Sequence, residues 1–313
     1  MATSTTTAGA PKGAPAPSSS TGSNRSEISE RLLAKFFLAP SFLVLGIFAL
    51  LPVFFALFTS LYEIRGVHSE FTALGNYATA LSDPRFWRAF FNTTAFSVIT
   101  VALEFVIGMF FALIMNKAFR GRGITRAIIL VPWVIPTAMA AQVWYFMFAP
   151  RPGFVNSILP IDVNWVTTAP YDFIVMIVAD VWKTSPFVAL LLLAGLQTIP
   201  GDVYEAGKVD GASARQTFWK ITLPLLRPAI VVALLFRSID ALRMFDLAYV
   251  IGGYGSDSTL MLSLYVQYYV VRTPEAGYAA ALAILTFILL MAIGVGFISR
   301  LGKDIISDKG ADE

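Results

Sequence analysis

Six continuous apolar stretches alternate with polar connections along the chain. Each is close to the roughly 20 residues that an α-helix needs to cross a bilayer. The stretches do not alternate between apolar and polar residues, which excludes a membrane β-barrel, and helices satisfy their own backbone groups in lipid. The sequence therefore predicts an all-α, polytopic membrane protein with six transmembrane helices. Their approximate bounds are Leu38–Tyr62, Phe90–Met115, Thr125–Phe148, Phe173–Leu196, Ala229–Ile251 and Ala276–Ile298.

The composition supports a membrane environment. Hydrophobic residues make up 57% of the 313 residues, and charged residues make up 14%, against roughly a quarter in soluble domains. The chain has no cysteine and a single histidine, His68 in a polar loop, so thiol chemistry and cysteine-ligated metals are excluded. The basic residues border apolar segments, as expected of topology signals rather than of a nucleic-acid-binding face.

The distribution of Lys and Arg predicts the orientation. The N-terminal tail, the second–third loop, the fourth–fifth loop and the C-terminus hold fifteen of these residues, and the opposite side holds five. Both termini and the fourth–fifth loop are therefore predicted to be cytoplasmic, in a multi-pass protein of the cell membrane surrounded by lipid.

Three regions are predicted. Residues 1–32 are rich in Ser, Thr, Ala, Gly and Pro, so a disordered cytoplasmic tail is expected there. Residues 33–303 form the six-helix transmembrane domain, which includes a cytoplasmic loop at 199–224. Residues 304–313 form a C-terminal cytoplasmic tail. The first apolar stretch is interpreted as a retained span rather than a cleaved signal.

The cytoplasmic loop is predicted to fold as a helix-turn-helix. Pro200 suits the first turn of a helix, whose positive end favours Asp202 and Glu205. Gly211 can adopt the left-handed conformation that ends this helix. Ser213, three residues before Gln216, predicts a capping box that starts the second helix, and Pro224 is expected to end it.

The residues of this loop resemble the cytoplasmic signature of ABC-importer permeases. The matching positions are Glu205-Ala206, Gly211 and Ile221-x-Leu223-Pro224, and Gly207 stands where the family usually has alanine. The resemblance implies a coupling helix that docks into a cleft of an ATPase subunit. The residues that it assigns to this contact are Glu205, Ala206, Gly207, Asp210, Gly211, Ala212, Leu223 and Pro224.

Other segments resemble the sugar permeases of this family, of the maltose and glycerol-phosphate type. The resemblance implies sugar import, and one segment, Val181–Gln197, is most similar to actinobacterial permeases for trehalose or related α-glucosides. Maltodextrin and glycerol phosphate remain alternatives. The other matching segments are Arg120–Arg126, Leu130–Pro136, Gly153-x-x-Asn156, Phe236–Asp246 and Gly252-Gly253.

Ionisable residues within the apolar stretches are costly and are candidates for function. The four charges of the fifth stretch recur every three residues on one helix, so each neighbours an opposite charge three residues away. The resulting ladder either braces the helix against other helices or contacts a sugar. On the fourth stretch, Asp180 and Lys183 are placed to pair, and Trp182 offers a face for a sugar ring. The candidate substrate-pathway residues are Asp180, Trp182, Lys183, Arg237, Asp240, Arg243 and Asp246, and Glu104 is a further intramembrane charge.

No catalytic or metal-binding motif is found. The glycine–lysine pairs at Gly207 and Gly302 are followed by Val and Asp, so the phosphate-binding loop of an ATPase is absent. The family resemblance implies that ATP and Mg²⁺ bind to partner subunits. It implies as partners a second homologous permease, two cytoplasmic ABC ATPases and an extracytoplasmic sugar-binding (lipo)protein, which together transport by alternating access.

Two other classes are weighed against this interpretation. An ion-coupled secondary transporter would use intramembrane carboxylates but would need no docking loop. A membrane-embedded enzyme could use Asp240 and Asp246 as an acid pair. On one continuous helix these residues would lie about 9 Å apart along the axis and about 240° around it, too divergent to share a substrate atom.

Overall fold

A computed structural model describes residues 23–65, 68–150, 153–159 and 163–308. It is predominantly helical, with one short antiparallel hairpin, β1 (Tyr62–Arg65) and β2 (His68–Phe71). The helices are α1 Ser23–Leu45, α2 Leu51–Ser60, α3 Gly75–Ser82, α4 Pro84–Asn116, α5 Arg122–Val134, α6 Thr137–Phe148, α7 Phe154–Ile158, α8 Tyr171–Thr198, α9 Gly201–Val209, α10 Ala214–Thr217, α11 Leu223–Leu225, α12 Arg227–Leu242, α13 Asp246–Ile251, α14 Leu262–Arg272 and α15 Ala276–Asp308.

The chain divides after Phe54 into two compact units. The first unit holds α1, a π-helical turn at Gly46–Leu50 and the start of α2. Residues 23–32, assigned to the tail by sequence, are part of α1, and the residues before Ser23 lie outside the described part of the chain. Likewise α15 continues to Asp308 through residues assigned to the C-terminal tail, and residues 309–313 lie outside the described part.

Four of the predicted spans are long apolar helices in the structure. They are Lys35–Ser60, Pro84–Asn116, Tyr171–Thr198 and Ala276–Gly296, which correspond to the first, second, fourth and sixth predicted spans. Up to five spans are present if a bent helix pair counts as one. The chain is therefore an all-α polytopic membrane protein.

The third predicted span is not one helix. The helices α5 and α6 meet at a bend of 90°. Ile135 at the junction has an extended backbone (φ −69°, ψ 129°) and precedes Pro136. A residue before proline is pushed out of the α region by the proline ring, which explains why the helix ends there.

The fifth predicted span, Ala229–Ile251, is also interrupted. The helix α12 ends at Leu242, and α13 begins at Asp246. Between them Arg243 has φ −99° and ψ 10°, and Phe245 has φ −131° and ψ −56°. The prediction of a single helix here is wrong, because the apolar composition of the stretch does not reveal where its backbone leaves the helical conformation.

The core of the second unit is built on α8. This helix packs along α4, α5 and α12, and its buried side chains include Met176, Leu192 and Leu196. Gly195 on α8 is required for close packing, because a Cβ atom at this position would collide with the Cβ of Ala229 and with Leu226.

The loops predicted to be external contain ordered elements among the described residues. The Asn76 side chain donates to the carbonyl oxygens of Ser60 and Tyr62, both at 2.9 Å, and so ties α3 to the hairpin. Asn156 donates to the carbonyl of Val163 at 2.8 Å and accepts from the indole of Trp165 at 2.7 Å. The pKa of Tyr265, at the start of α14, is raised mainly by burial. Its hydrogen bond to Asp83 is the second cause.

We expect Gly195→Ala to destabilise the fold by about 1–3 kcal/mol, because the added methyl group overpacks the α8–α12 contact. Gly294→Ala on α15 is the matched control, since the space around Gly294 is open and alanine is a better helix former by up to about 1 kcal/mol. Thermal unfolding of the two purified variants measures the difference. Equal stability of both variants would contradict the packing assigned to Gly195.

Candidate functional site

A buried ionic network connects three helices. Arg237 on α12 is 1% exposed. Its Nε and Nη2 donate to the carboxylate of Glu104 on α4, with Nη2–Oε1 at 3.0 Å. Nη2 also donates to Oδ2 of Asp180 on α8, and Nη1 donates to Oδ2 of Asp240 at 2.8 Å. One guanidinium group thus joins carboxylates from α4, α8 and its own helix.

The network leaves one acceptor free. Glu104 and Asp180 are fully buried, and the hydroxyl of Thr184 donates to Glu104 Oε1 at 2.5 Å. Asp180 Oδ1 is buried and has no hydrogen-bond partner among the described residues. A buried polar atom without a partner is costly and marks a position where a further donor would stabilise the protein.

A cavity of about 120 Å³ lies beside this network. Thr137 begins α6 directly after the bend from α5, and Met244 and Phe245 form the break between α12 and α13. Both interruptions of the predicted spans therefore line the same cavity. Non-helical backbone at membrane depth is tolerated where it is buried or lines a cavity. The lining residues are Thr137, Asp180, Lys183, Thr184, Asp240, Arg243, Met244, Phe245 and Asp246.

Five of the seven predicted pathway residues meet in this cavity, namely Asp180, Lys183, Asp240, Arg243 and Asp246. The other two do not line it. Arg237 lies behind the wall, held by the network, and Trp182 is 39% exposed and packs edge-on against Trp144 with ring centroids 5.7 Å apart.

The predicted ladder of charges on one helix is wrong, because α12 ends before Arg243 and Asp246 starts the next helix. Only its first rung, Arg237–Asp240, is an ion pair among the described residues. The expected Asp180–Lys183 pair is not among the ion pairs of the described chain, since Asp180 binds Arg237 instead.

The break also removes the geometric argument that separated Asp240 from Asp246. That argument assumed one continuous helix, but the two residues belong to different helices and line one cavity.

Sequence reasoning missed the role of Glu104. It was identified as an intramembrane charge without a partner, and its partner Arg237 is 133 residues away. Intramembrane charges pair with one another, so the absence of a cation near Glu104 in sequence was the available signal for a pair between helices. Thr137, Thr184, Met244 and Phe245 at the cavity carried no comparable signal.

The first part of the loop at 199–224 folds as its capping residues predict. The helix α9 begins after Pro200, which is its N-cap, and has Asp202 in its first turn. Gly211 has φ +77°. The amide of Gly211 donates to the carbonyl of Lys208 at 3.1 Å, and that of Ala212 donates to Gly207 at 2.9 Å, as in a Schellman motif.

The second half of the loop starts with the predicted capping box. Ser213 N donates to Gln216 Oε1 at 2.8 Å, and Gln216 N donates to Ser213 Oγ at 3.3 Å. Gly207 is buried, and a Cβ there would lie 2.8 Å from Cδ1 of Ile221, the end of a side chain that can rotate away. Glu205, Ala206 and Asp210 are exposed.

Pro224 does not end the second helix as expected. A π-helical turn at Phe218–Thr222 leads into α11, which contains Pro224, and α12 follows after Leu226 alone. In the π turn the amide of Leu223 bonds to the carbonyl of Phe218, five residues back. Pro224 has no amide proton to donate to a helical hydrogen bond. The π turn shifts the hydrogen-bond pattern just before it, so the helix continues through Pro224.

Comparisons with known proteins define the class of this chain. Residues 104–305 match the family of binding-protein-dependent transport system inner membrane components, and the chain belongs to this family. The protein is therefore an inner-membrane permease component.

Three relatives cover most of the chain. It is 42% identical to the trehalose/maltose transport system permease MalF of Thermococcus litoralis over 88% of this chain and 95% of that protein. It is 37% identical to the trehalose permease SugA of Mycobacterium tuberculosis, with 88% and 91% covered. The sulfoquinovosyl glycerol permease SmoG of Agrobacterium fabrum is also 37% identical, with 85% and 89% covered.

A solved structure shares the fold. A chain of a bacterial ABC transporter that imports the acidic polysaccharide alginate superposes with a TM-score of 0.78, at 21% identity, over 89% of this chain and 98% of that chain.

We expect Gly211→Pro to uncouple ATP hydrolysis from transport, because proline cannot adopt φ +77° and lacks the amide that bonds to Lys208. Gly211→Asn is the matched control, since asparagine tolerates the left-handed region. Transport and ATP hydrolysis are measured in the reconstituted complex at equal assembly. Normal coupled transport by Gly211→Pro would exclude a coupling role for this turn.

Proposed function

We propose that this chain is one of two permease subunits of an ABC importer that carries a neutral sugar, with trehalose or a related α-glucoside favoured. One observation supports a substrate site in this chain: both helix interruptions and five charged side chains line the same cavity. The names of the relatives support the substrate class, because two of them transport trehalose or trehalose and maltose. Maltodextrin stays within the same chemical class.

The lining of the cavity favours a polyhydroxylated substrate. Its carboxylates accept hydrogen bonds, whereas Lys183, Arg243 and the Thr137 hydroxyl donate them. Sugar hydroxyls do both. The free acceptor at Asp180 Oδ1 matches a sugar hydroxyl donor.

The charge of the lining disfavours an anion. Three carboxylates, Asp180, Asp240 and Asp246, face two cations, so a phosphate group would meet an excess of negative charge. Glycerol phosphate is therefore a poorer fit than a neutral sugar.

The size of the cavity supports a second subunit. Small-molecule sites usually occupy about 300–1,000 Å³, and this chain supplies about 120 Å³. A homologous permease across a central interface would complete the site, as the sequence resemblance implies.

We propose six spans with both termini in the cytoplasm. Five of these are the spans described above. The sixth is a broken crossing made of α12 and α13. At 1.5 Å per residue, the 16 residues of α12 reach about 24 Å, so α12 alone falls short of the ~30 Å hydrocarbon core. The loop at 199–224 then lies on the same side as the termini.

In this arrangement the loop docks against an ATPase. Val209 is 87% exposed and Trp219 is 59% exposed, and a partner surface would cover them. Two ATPase subunits would bind ATP and Mg²⁺, and an external sugar-binding (lipo)protein would deliver the sugar. ATP binding would bring the ATPases together and open the cavity outward.

We expect Asp240→Asn to lower sugar transport by about tenfold or more at normal assembly, because a charged acceptor at the cavity is lost. Asp240 is 68% exposed in its side chain, so the change leaves the buried pairs of Arg237 in place. Ser238→Ala on the same helix, outside the cavity, is the control. Low yield with unchanged sugar affinity would assign Asp240 to bracing the fold.

We expect unlabelled trehalose to compete with the uptake of labelled trehalose by proteoliposomes, and glycerol 3-phosphate not to compete at the same concentration. The reason is the excess of negative charge in the cavity lining, which would repel the phosphate group. Uptake must require ATP inside the vesicles. Uptake driven by an ion gradient without ATP would contradict the importer assignment, and competition by glycerol 3-phosphate would contradict the neutral substrate.

A further inference from the structure

Glu104 lies behind the wall of the cavity, where its side chain contacts residues of α8 and α12. It is fully buried on α4 and is not among the residues that line the cavity. Its carboxylate binds Arg237 through two nitrogens and Thr184 through the hydroxyl. Among the described residues, the hydrogen bonds that its side chain accepts therefore come from α8 and α12, the helices that carry Asp180, Lys183 and Asp240 of the cavity.

Arg237 transmits this constraint to the cavity. The guanidinium group is planar, and its donors form a rigid fork. When Nε and Nη2 are held by Glu104, the directions of the remaining donors are fixed. These donors bind Oδ2 of Asp180 and Oδ2 of Asp240. Each aspartate is thus held through one oxygen.

The charge balance explains why a carboxylate is needed at 104. Without it Arg237 would be shared by two aspartates alone, and each could draw closer to the guanidinium with both oxygens. An aspartate bound in this way offers less acceptor capacity to a ligand. Glu104 occupies two of the guanidinium donors and so prevents this arrangement.

We propose that Glu104 is a positioning residue of the sugar site, which acts through Arg237 to hold the Asp180 and Asp240 carboxylates ready to accept sugar hydroxyls. The inference rests on the proposed function, because it presumes that the cavity binds sugar. It assigns Arg237 to the same positioning role rather than to contact with the sugar.

The test is Glu104→Gln in the reconstituted complex of the permeases and ATPases, without the external sugar-binding protein, with equilibrium binding of radiolabelled trehalose measured per assembled complex. We expect binding to weaken by roughly ten- to a hundredfold, as for loss of a hydrogen bond to a charged group. The Arg237 charge remains paired with two aspartates, so the variant avoids an isolated buried cation. Wild-type binding by this variant would overturn the proposal.

A double-mutant cycle separates positioning from general weakening. If Glu104 acts on the aspartates, its effect on binding and that of Asp240→Asn are non-additive, whereas Glu104→Gln and Ser238→Ala are additive. Additivity in both cycles would overturn the proposal.

Glu104→Asp provides a second measurement if Glu104→Gln fails to assemble. It keeps the charge but shortens the reach by one methylene, so positioning predicts weakened binding and charge neutralisation alone predicts wild-type binding. The outcomes also distinguish the two proposals. If Asp240→Asn weakens binding and the Glu104 variants do not, only the role of Glu104 is wrong. If the wild-type complex binds no trehalose at the cavity, the proposed function is wrong.

Discussion

The fold is organised around one buried cation, the guanidinium group of Arg237. Burying an unpaired guanidinium among membrane helices is costly, so the position of Arg237 requires carboxylates within hydrogen-bond distance. The chain supplies them from α4, α8 and α12, and these helices must therefore keep a fixed mutual arrangement. Apolar packing is non-directional and would tolerate small shifts between helices. The hydrogen-bonded ion pairs are directional, so they fix the orientation of the three helices relative to one another. The cavity beside the network therefore has a defined geometry.

The same region contains the two places where a predicted span is interrupted. The bend after Val134 and the break after Leu242 would each expose backbone groups if they faced lipid. Part of that requirement is met internally, since the Ser263 hydroxyl donates to the carbonyl of Met244 in the break. Charged side chains and the irregular backbone of both interrupted spans thus meet at one cavity. Substrate sites at broken helices are common in membrane transporters.

The sequence predicted most of what depends on neighbouring residues. The capping box at Ser213 and the left-handed Gly211 follow from local chemistry, and four spans follow from apolar length alone. The errors concern contacts between distant segments. The i+3 spacing suggested that Asp180 would pair with Lys183, but a buried cation from another helix competes for that carboxylate, and no single-sequence pattern reports it. The end of α12 at Leu242 was hidden for a related reason, because tertiary contacts stabilise a break that composition does not mark.

The continuity of the chain through Pro224 has a mechanical consequence. From Ala214 to Leu242 the backbone is helical except at Leu226, so helical turns rather than an extended linker join the capping box of the loop to Arg243 beside the cavity. We expect a displacement of the capping box to reach the cavity wall through these turns, because an extended linker would absorb more of it.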